Sequence, residues 1–339
     1  MPETSLTLLI FIIVLAVGFG IVNGFNDAAN AIATAVGTHA ISPRNAIALA
    51  AVFNFTGAAT GLAVAHTIGK GILVPEAITF FTIIAALVSV IIWGTLATYL
   101  GLPISLHHGF IAGLAAAGIA VSGGSAVVWS VMVKIIAAVF VAPALGFAGG
   151  YLFMNILYWC LHRTSPASIG ALFGHLQIAS AAFMAYSHGK NDGQMPIGVI
   201  TMALVIFHQD PSLWDRLSLL NGNTWWIIVV SALAISTGTA IGGWRVIRTL
   251  GMRVTKLRQI HGFAATTSAA TVVEVASHFG IPVSTTHCVS AAVMGVGSTM
   301  RFSAVRWGIA TDIVVAWILT FPICGALGYL FSWLLHLFF

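Results

Sequence analysis

Charge is what this sequence lacks most. Lys, Arg, Asp and Glu make up 6% of its 339 residues, where a soluble domain carries about 25%. So few charges cannot cover a water-facing surface, which excludes a soluble globular fold. The 13 Lys and Arg exceed the 8 Asp and Glu, yet the basic residues sit in short loops without aromatic interleaving. That pattern excludes a nucleic-acid surface. Cysteine is scarce too: Cys160, Cys288 and Cys324 lie singly in apolar runs and read as small core residues. No Gly-x-Ser-x-Gly, His-Glu-x-x-His or phosphate-loop pattern occurs, which argues against a membrane-embedded hydrolase or transferase. Residues 1–4 lack the basic stretch of a secretory signal, so the first apolar run reads as a retained helix.

What is present is apolar, at 59% of the chain. At about 20 residues per crossing plus loops, it holds roughly ten membrane segments, some of them broken. A run of five basic residues without an acid, Arg245, Arg248, Arg253, Lys256 and Arg258, places that loop on the cytoplasmic side.

One polar stretch interrupts this background. Asn23, Asn26, Asp27 and Asn30 follow directly on about twenty apolar residues. A carboxylate at membrane depth costs roughly 2.5–3.5 kcal/mol on insertion scales, so Asp27 has a task. Asn26 and Asn30, spaced i,i+4, share a helix face with Asp27. The stretch returns later: Gly24-Phe25-Asn26-Asp27 is matched by Gly189-Lys190-Asn191-Asp192.

A second element is also duplicated. Gly101-Leu102-Pro103-Ile104-Ser105-Leu106-His107-His108 aligns with Gly280-Ile281-Pro282-Val283-Ser284-Thr285-Thr286-His287. Thr56-Gly57 and Thr67-Ile68-Gly69 align with Thr237-Gly238 and Thr249-Leu250-Gly251, all copies standing 165 to 182 residues apart in the same order. Alone, each Pro-x-Ser-x-x-His would read as a kink; repeated, it reads as a half-helix starting inside the membrane. The segment after Ser105 holds about a dozen apolar residues, too few to span, and is expected to be re-entrant. Interrupted helices at matching positions are the mark of a secondary transporter with repeat-related halves. The expected fold is an all-α polytopic membrane protein, an inverted repeat of broken helices with two re-entrant hairpins. Its first repeat covers 1–157, a linker 158–170 and the second repeat 171–339.

Such half-helices aim free N–H groups and a positive dipole end at a cavity, where anions bind. Ser105, Ser284, Thr285 and Thr286 add hydroxyl donors. Asp27 and Asp192, with the Asn amide oxygens, can hold Na⁺ or a proton and offset the anion's charge. Glu274 and Asp312 also lie in apolar spans, and each stays open between a cation or proton ligand and a paired acid.

With these motifs the chain resembles the inorganic phosphate transporter (PiT) family. Gly24-Phe25-Asn26-Asp27-Ala28-Ala29-Asn30-Ala31 is similar to its Gly-Ala-Asn-Asp-Val-Ala-Asn-Ala signature. The 188–194 stretch resembles the second copy, and 280–287 the Pro-Val-Ser-Thr-Thr-His hairpin. The resemblance implies a multi-pass carrier of the bacterial inner membrane, a homodimer, moving phosphate with Na⁺ or H⁺ or as a metal–phosphate complex. It implies a cation or proton site at Asn26, Asp27, Asn30, Asn191 and Asp192, and an anion site at Ser105, Ser284, Thr285 and Thr286. His107, His108 and Lys190 join the anion site for the positive charge they can bring. No catalytic residue, resident metal or cofactor is expected.

The departures from the pattern fall in the same places. Leu106 and His107 replace two hydroxyls, Lys190 replaces a small residue, and Thr266 stands where the family has an acid. They keep a sulfate or other oxyanion permease open as an alternative, with an anion channel as a further one.

Overall fold

The computed structural model describes residues 5–338, the side chains of Ala28 and Ala29 apart. Residues 1–4, from which the absence of a signal was read, lie outside that range. Thirteen α-helices run through the described residues: α1 Leu6–Gly37, α2 Pro43–Ala58, α3 Ala63–Lys70, α4 Phe80–Leu100, α5 Leu106–Ser122, α6 Trp129–Leu161, α7 Pro166–Asp192, α8 Gln194–His208, α9 Trp225–Ile241, α10 Trp244–Arg248, α11 Gln259–His278, α12 Thr285–Met300 and α13 Trp307–Phe338. Six spans are long and apolar enough to cross a membrane, or eight when each bent pair counts as one. The hairpin helices α11 and α12 are not among them: α11 carries Thr, Ser, His and Glu along its length, and α12 is only 16 residues long. They account for the difference from the ten segments expected.

The helix breaks are not where the polar motifs sit. Asn26, Asp27 and Asn30 lie inside the unbroken α1, and Asn191 and Asp192 close α7. The bends fall instead between α2 and α3, at 67°, and between α9 and α10, at 61°. Each has a glycine with positive φ at its corner, Gly61 at +93° and Gly242 at +77°, backbone that only glycine adopts freely. Gly101 and Gly280, at +74° and +66°, turn the two hairpins in the same way. These left-handed glycines recur at the duplicated positions. The boundary between halves is also tighter than the 158–170 stretch: α6 runs to Leu161 and α7 starts at Pro166. Ser165 accepts from Ser168 N as the N-cap, with Pro166 in the first turn, so Ser-Pro starts a helix where a linker was expected.

Two helical hairpins, α4–α5 and α11–α12, point in opposite directions; the segment after Ser105, expected to be too short to span, reaches Ala126 and is long and apolar enough to cross a membrane. The base of the first is tied by Val74 N to Ala126 O (2.9 Å) and Val128 N to Ile72 O (3.0 Å). The base of the second lies at the arginine-rich loop, where Arg306 N donates to Val254 O at 2.9 Å. Each tip meets the short helix of the opposite half. Thr249 Oγ1 donates to Gly101 O at 3.1 Å, and Thr67 Oγ1 donates to Gly280 O at 2.7 Å. The long helices cross between halves just as closely. A Cβ on Gly57 would stand 2.0 Å from Tyr186 O, and one on Gly238 would stand 2.0 Å from Ile21 O. Membrane helices pack on small residues in this way because lipid supplies no hydrophobic drive between them.

Candidate functional site

The hairpin tips bring two helix N-termini to the motif residues. Pro103 and Pro282 end the turns, and Ser105 and Ser284 cap the new helices. Ser105 Oγ accepts from His108 N at 3.3 Å and Ser284 Oγ from His287 N at 3.1 Å. Each cap uses its oxygen lone pair, which leaves the hydroxyl proton free to donate.

The two acids are met by both hairpins. Thr286 Oγ1 donates to Asp27 Oδ1 at 2.8 Å and accepts from Asn30 Nδ2 at 2.5 Å. The backbone N–H of Leu106, at the first hairpin's helix start, also faces Asp27. Thr285 Oγ1 reaches Asp192 Oδ2 at 3.4 Å, and Asn191 Nδ2 donates to Asp192 Oδ1 at 2.8 Å and to Val283 O at 2.6 Å. His107 Nδ1 and His188 Nε2 flank Asp192, each 3.2 Å from one of its oxygens. The expected anion donors and cation ligands therefore form one cluster. Both carboxyl side chains are 1% exposed.

One oxygen of Asp27, one of Asp192 and a ring nitrogen of His188 lie within 4.8 Å of one another. Two ionised carboxylates at that separation repel by about 3 kcal/mol at an effective dielectric of about 20. Positive charge between them removes that penalty. The amide oxygens of Asn23, Asn26, Asn30 and Asn191 are buried and have no hydrogen-bond partner. An unpartnered buried acceptor costs about 1–3 kcal/mol, and oxygen acceptors of this kind are what a hard cation takes.

Two residues grouped with the anion site lie elsewhere. Lys190 pairs with Glu274, and Ser187 Oγ donates to the other Glu274 oxygen at 3.3 Å. This also places Glu274 as a paired acid, while Asp312 is exposed on α13. His108 turns toward α13, stacking on Phe321 at 5.3 Å and lying 5.1 Å from the His287 ring. Thr266, where an acid was expected, shares a hydroxyl contact of 2.7 Å with Thr34.

Sequence reasoning passed over three contributors. His188 touches Asp192, and Asn54 Oδ1 lies 2.7 Å from His188 Nδ1 and so fixes its ring. Thr98 accepts from Asn26 Nδ2. An Asn alone in the apolar run of 46–59 was the available signal for Asn54.

Residues 23–328 match the phosphate transporter family. The chain is 38% identical over 339 residues to the "Probable low-affinity inorganic phosphate transporter" of Bacillus subtilis (strain 168), covering 99% of this chain and 100% of that one. A protein of the same description from Rhizobium meliloti (strain 1021) is 40% identical over 316 residues, covering 93% and 92%. A solved structure described as "The sodium-dependent phosphate transporter" superposes with a TM-score of 0.88 at 25% identity, over 98% of this chain and 100% of that one.

Proposed function

The chain belongs to the phosphate transporter family, and we propose that it carries inorganic phosphate across the membrane by symport with Na⁺. It is a multi-pass membrane transporter and not an enzyme. The observation that carries the proposal is the meeting of two buried carboxylates, Asp27 and Asp192, with the starts of both hairpin helices, through Thr285, Thr286 and the Leu106 N–H. Na⁺ among those oxygens offsets the acids. The hydroxyl protons of Ser105 and Ser284 and the free N–H groups at the helix starts then meet a tetrahedral oxyanion. Thr285 and Thr286 turn from the acids to the anion when it arrives. The two halves, joined at 162–165, rock against each other about this site. A homodimer, carried by the family resemblance, completes the reading.

His107 and His188 on Asp192 favour a second form of coupling, with a proton replacing one Na⁺. Uptake of labelled phosphate into proteoliposomes, with Na⁺ and pH gradients imposed separately, separates the two. Uptake driven by the Na⁺ gradient alone is the expected result. Uptake driven only by the pH gradient would assign the proton form. Labelled sulfate taken up in preference to phosphate would overturn the substrate. Uptake indifferent to both gradients would mean a channel.

A further inference from the structure

Beside the central cluster, a separate polar cavity of about 270 Å³ opens where α7 and α8 meet the α2–α3 corner and the end of α11. Thr60, Gly61, Tyr186, Lys190, Gln194 and Ser277 line it. It lies at the tip of the second hairpin, on the side opposite the arginine-rich loop.

Two observations mark it as built for a ligand. Gln194 is 0% exposed, and its carbonyl oxygen is fixed by Val64 N at 2.9 Å and Ala65 N at 3.1 Å. Its amide nitrogen is left with two protons and no acceptor. A buried donor without a partner costs about 1–3 kcal/mol, and here it faces the cavity. Lys190 converges on the same point. A Cβ built on Gly61 would stand 3.4 Å from Gln194 Nε2 and 3.6 Å from Lys190 Cε. A bare glycine thus sits beneath an amide donor and an ammonium stem. The Thr60 hydroxyl, donating to Tyr186 OH at 2.9 Å, closes one wall.

Lys190 is not idle, because Glu274 holds it. That pair is open to solvent, with side chains 17% and 27% exposed, and so can exchange partners. Glu274 lies one helical turn from Ser277 and His278, on the cavity side of α11.

We propose that this cavity is an entry site for a small oxyanion, with Glu274 holding the anion's place on Lys190 until one arrives. The proposal rests on the phosphate-transport reading and adds a station before the central site. The arriving anion displaces the Glu274 carboxylate, takes two charge-assisted bonds from Lys190 and one from Gln194 Nε2, and stands two residues along α7 from Asp192. The released Glu274 keeps its Ser187 bond but loses its ionic tie to α7, which links arrival of the anion to loosening of that side.

The test reads the sign of a change. Initial rates of phosphate uptake are measured in proteoliposomes for the wild type, Lys190→Gln, Glu274→Gln, the double variant and Lys190→Arg. An entry site predicts opposite shifts: Glu274→Gln lowers the phosphate KM and Lys190→Gln raises it. Each shift should be about two- to fivefold, the range of a partly exposed ion pair. The double variant follows Lys190→Gln, and Lys190→Arg stays near wild type. A purely structural pair would give equal losses of Vmax in the two single variants and recovery in the double, overturning the proposal. Unmoved KM values would overturn it as well. KM shifts that follow vesicle lipid composition would assign the seat to a lipid headgroup instead of free phosphate, with the same consequence. A wild type that takes up no phosphate would fail the transport reading itself, whereas normal wild-type uptake without the opposite shifts fails the entry site alone.

Discussion

The hydroxyl of Thr286 makes two hydrogen bonds at once, accepting from Asn30 and donating to Asp27. Thr286→Val keeps the shape and removes both. Asn30 and Asp27 are 0% and 1% exposed, so water does not replace what is lost. One orphaned amide donor costs about 1–3 kcal/mol, and a hydrogen bond to a charged group is worth about 1.5–3 kcal/mol. Roughly 3 kcal/mol of this falls on the arrangement that holds Asp27, which corresponds to about a hundredfold in an equilibrium constant. The expected result is a rise in the Na⁺ concentration for half-maximal phosphate uptake of at least tenfold, with folded protein recovered in detergent. Thr286→Ser, which restores the hydroxyl, should return the wild-type Na⁺ dependence. A valine variant that keeps that dependence, while folded, would refute the role given to this hydroxyl and to the carboxylate behind it.

Asp27→Asn removes the charge that balances the cation and should cut phosphate uptake at least tenfold without loss of folded protein. Ser284→Ala removes both the cap on α12, worth about 1 kcal/mol, and a donor to the anion. It too should cut uptake at least tenfold, with only a small fall in thermal stability. Gly57→Ala and Gly238→Ala each drive a methyl group to 2.0 Å from a backbone carbonyl, so neither should yield a monodisperse protein. Gly170→Ala, with nothing within 4 Å of the new atom, should behave as wild type in size-exclusion chromatography. Asn54→Ala releases the His188 ring and should change the pH profile of uptake more than its maximal rate.

The architecture was legible because it is written twice. A lone Pro-x-Ser-x-x-His carries little information, but its recurrence with the Asn-Asp motif in the same order fixes an all-helical repeat with hairpins. The half-helix starts fall where the repeated Pro-x-Ser-x-x-His stands, at Leu106 and Thr285, whereas the bends at Gly61 and Gly242 carry no such motif. Around Asp27, α1 runs on unbroken from Leu6 to Gly37. Pairings across the site were not legible at all. Thr286 and Asp27 are 259 residues apart, and nothing in either segment names its partner. Lys190 misled for the opposite reason: adjacent in sequence to Asn191 and Asp192, it leaves α7 on another face and meets Glu274.

The asymmetry between halves bears on how the site opens. Both hairpin tips are held by a Thr hydroxyl on a Gly carbonyl, Thr249 on Gly101 and Thr67 on Gly280. The clasps added to that shared contact differ. At the first tip, Arg245 reaches over Tyr99, bonding its carbonyl and lying 4.4 Å from the ring centroid. That guanidinium is held by neutral groups, so an anion has no carboxylate to displace from it. At the second tip side, Lys190 is held by a carboxylate, which a second anion can replace. A duplicated backbone has thus received one cationic clasp on neutral partners and one on a carboxylate. On the reading proposed above, an anion reaching the second tip displaces a carboxylate and one reaching the first does not, so the two ends of the path meet the cargo differently.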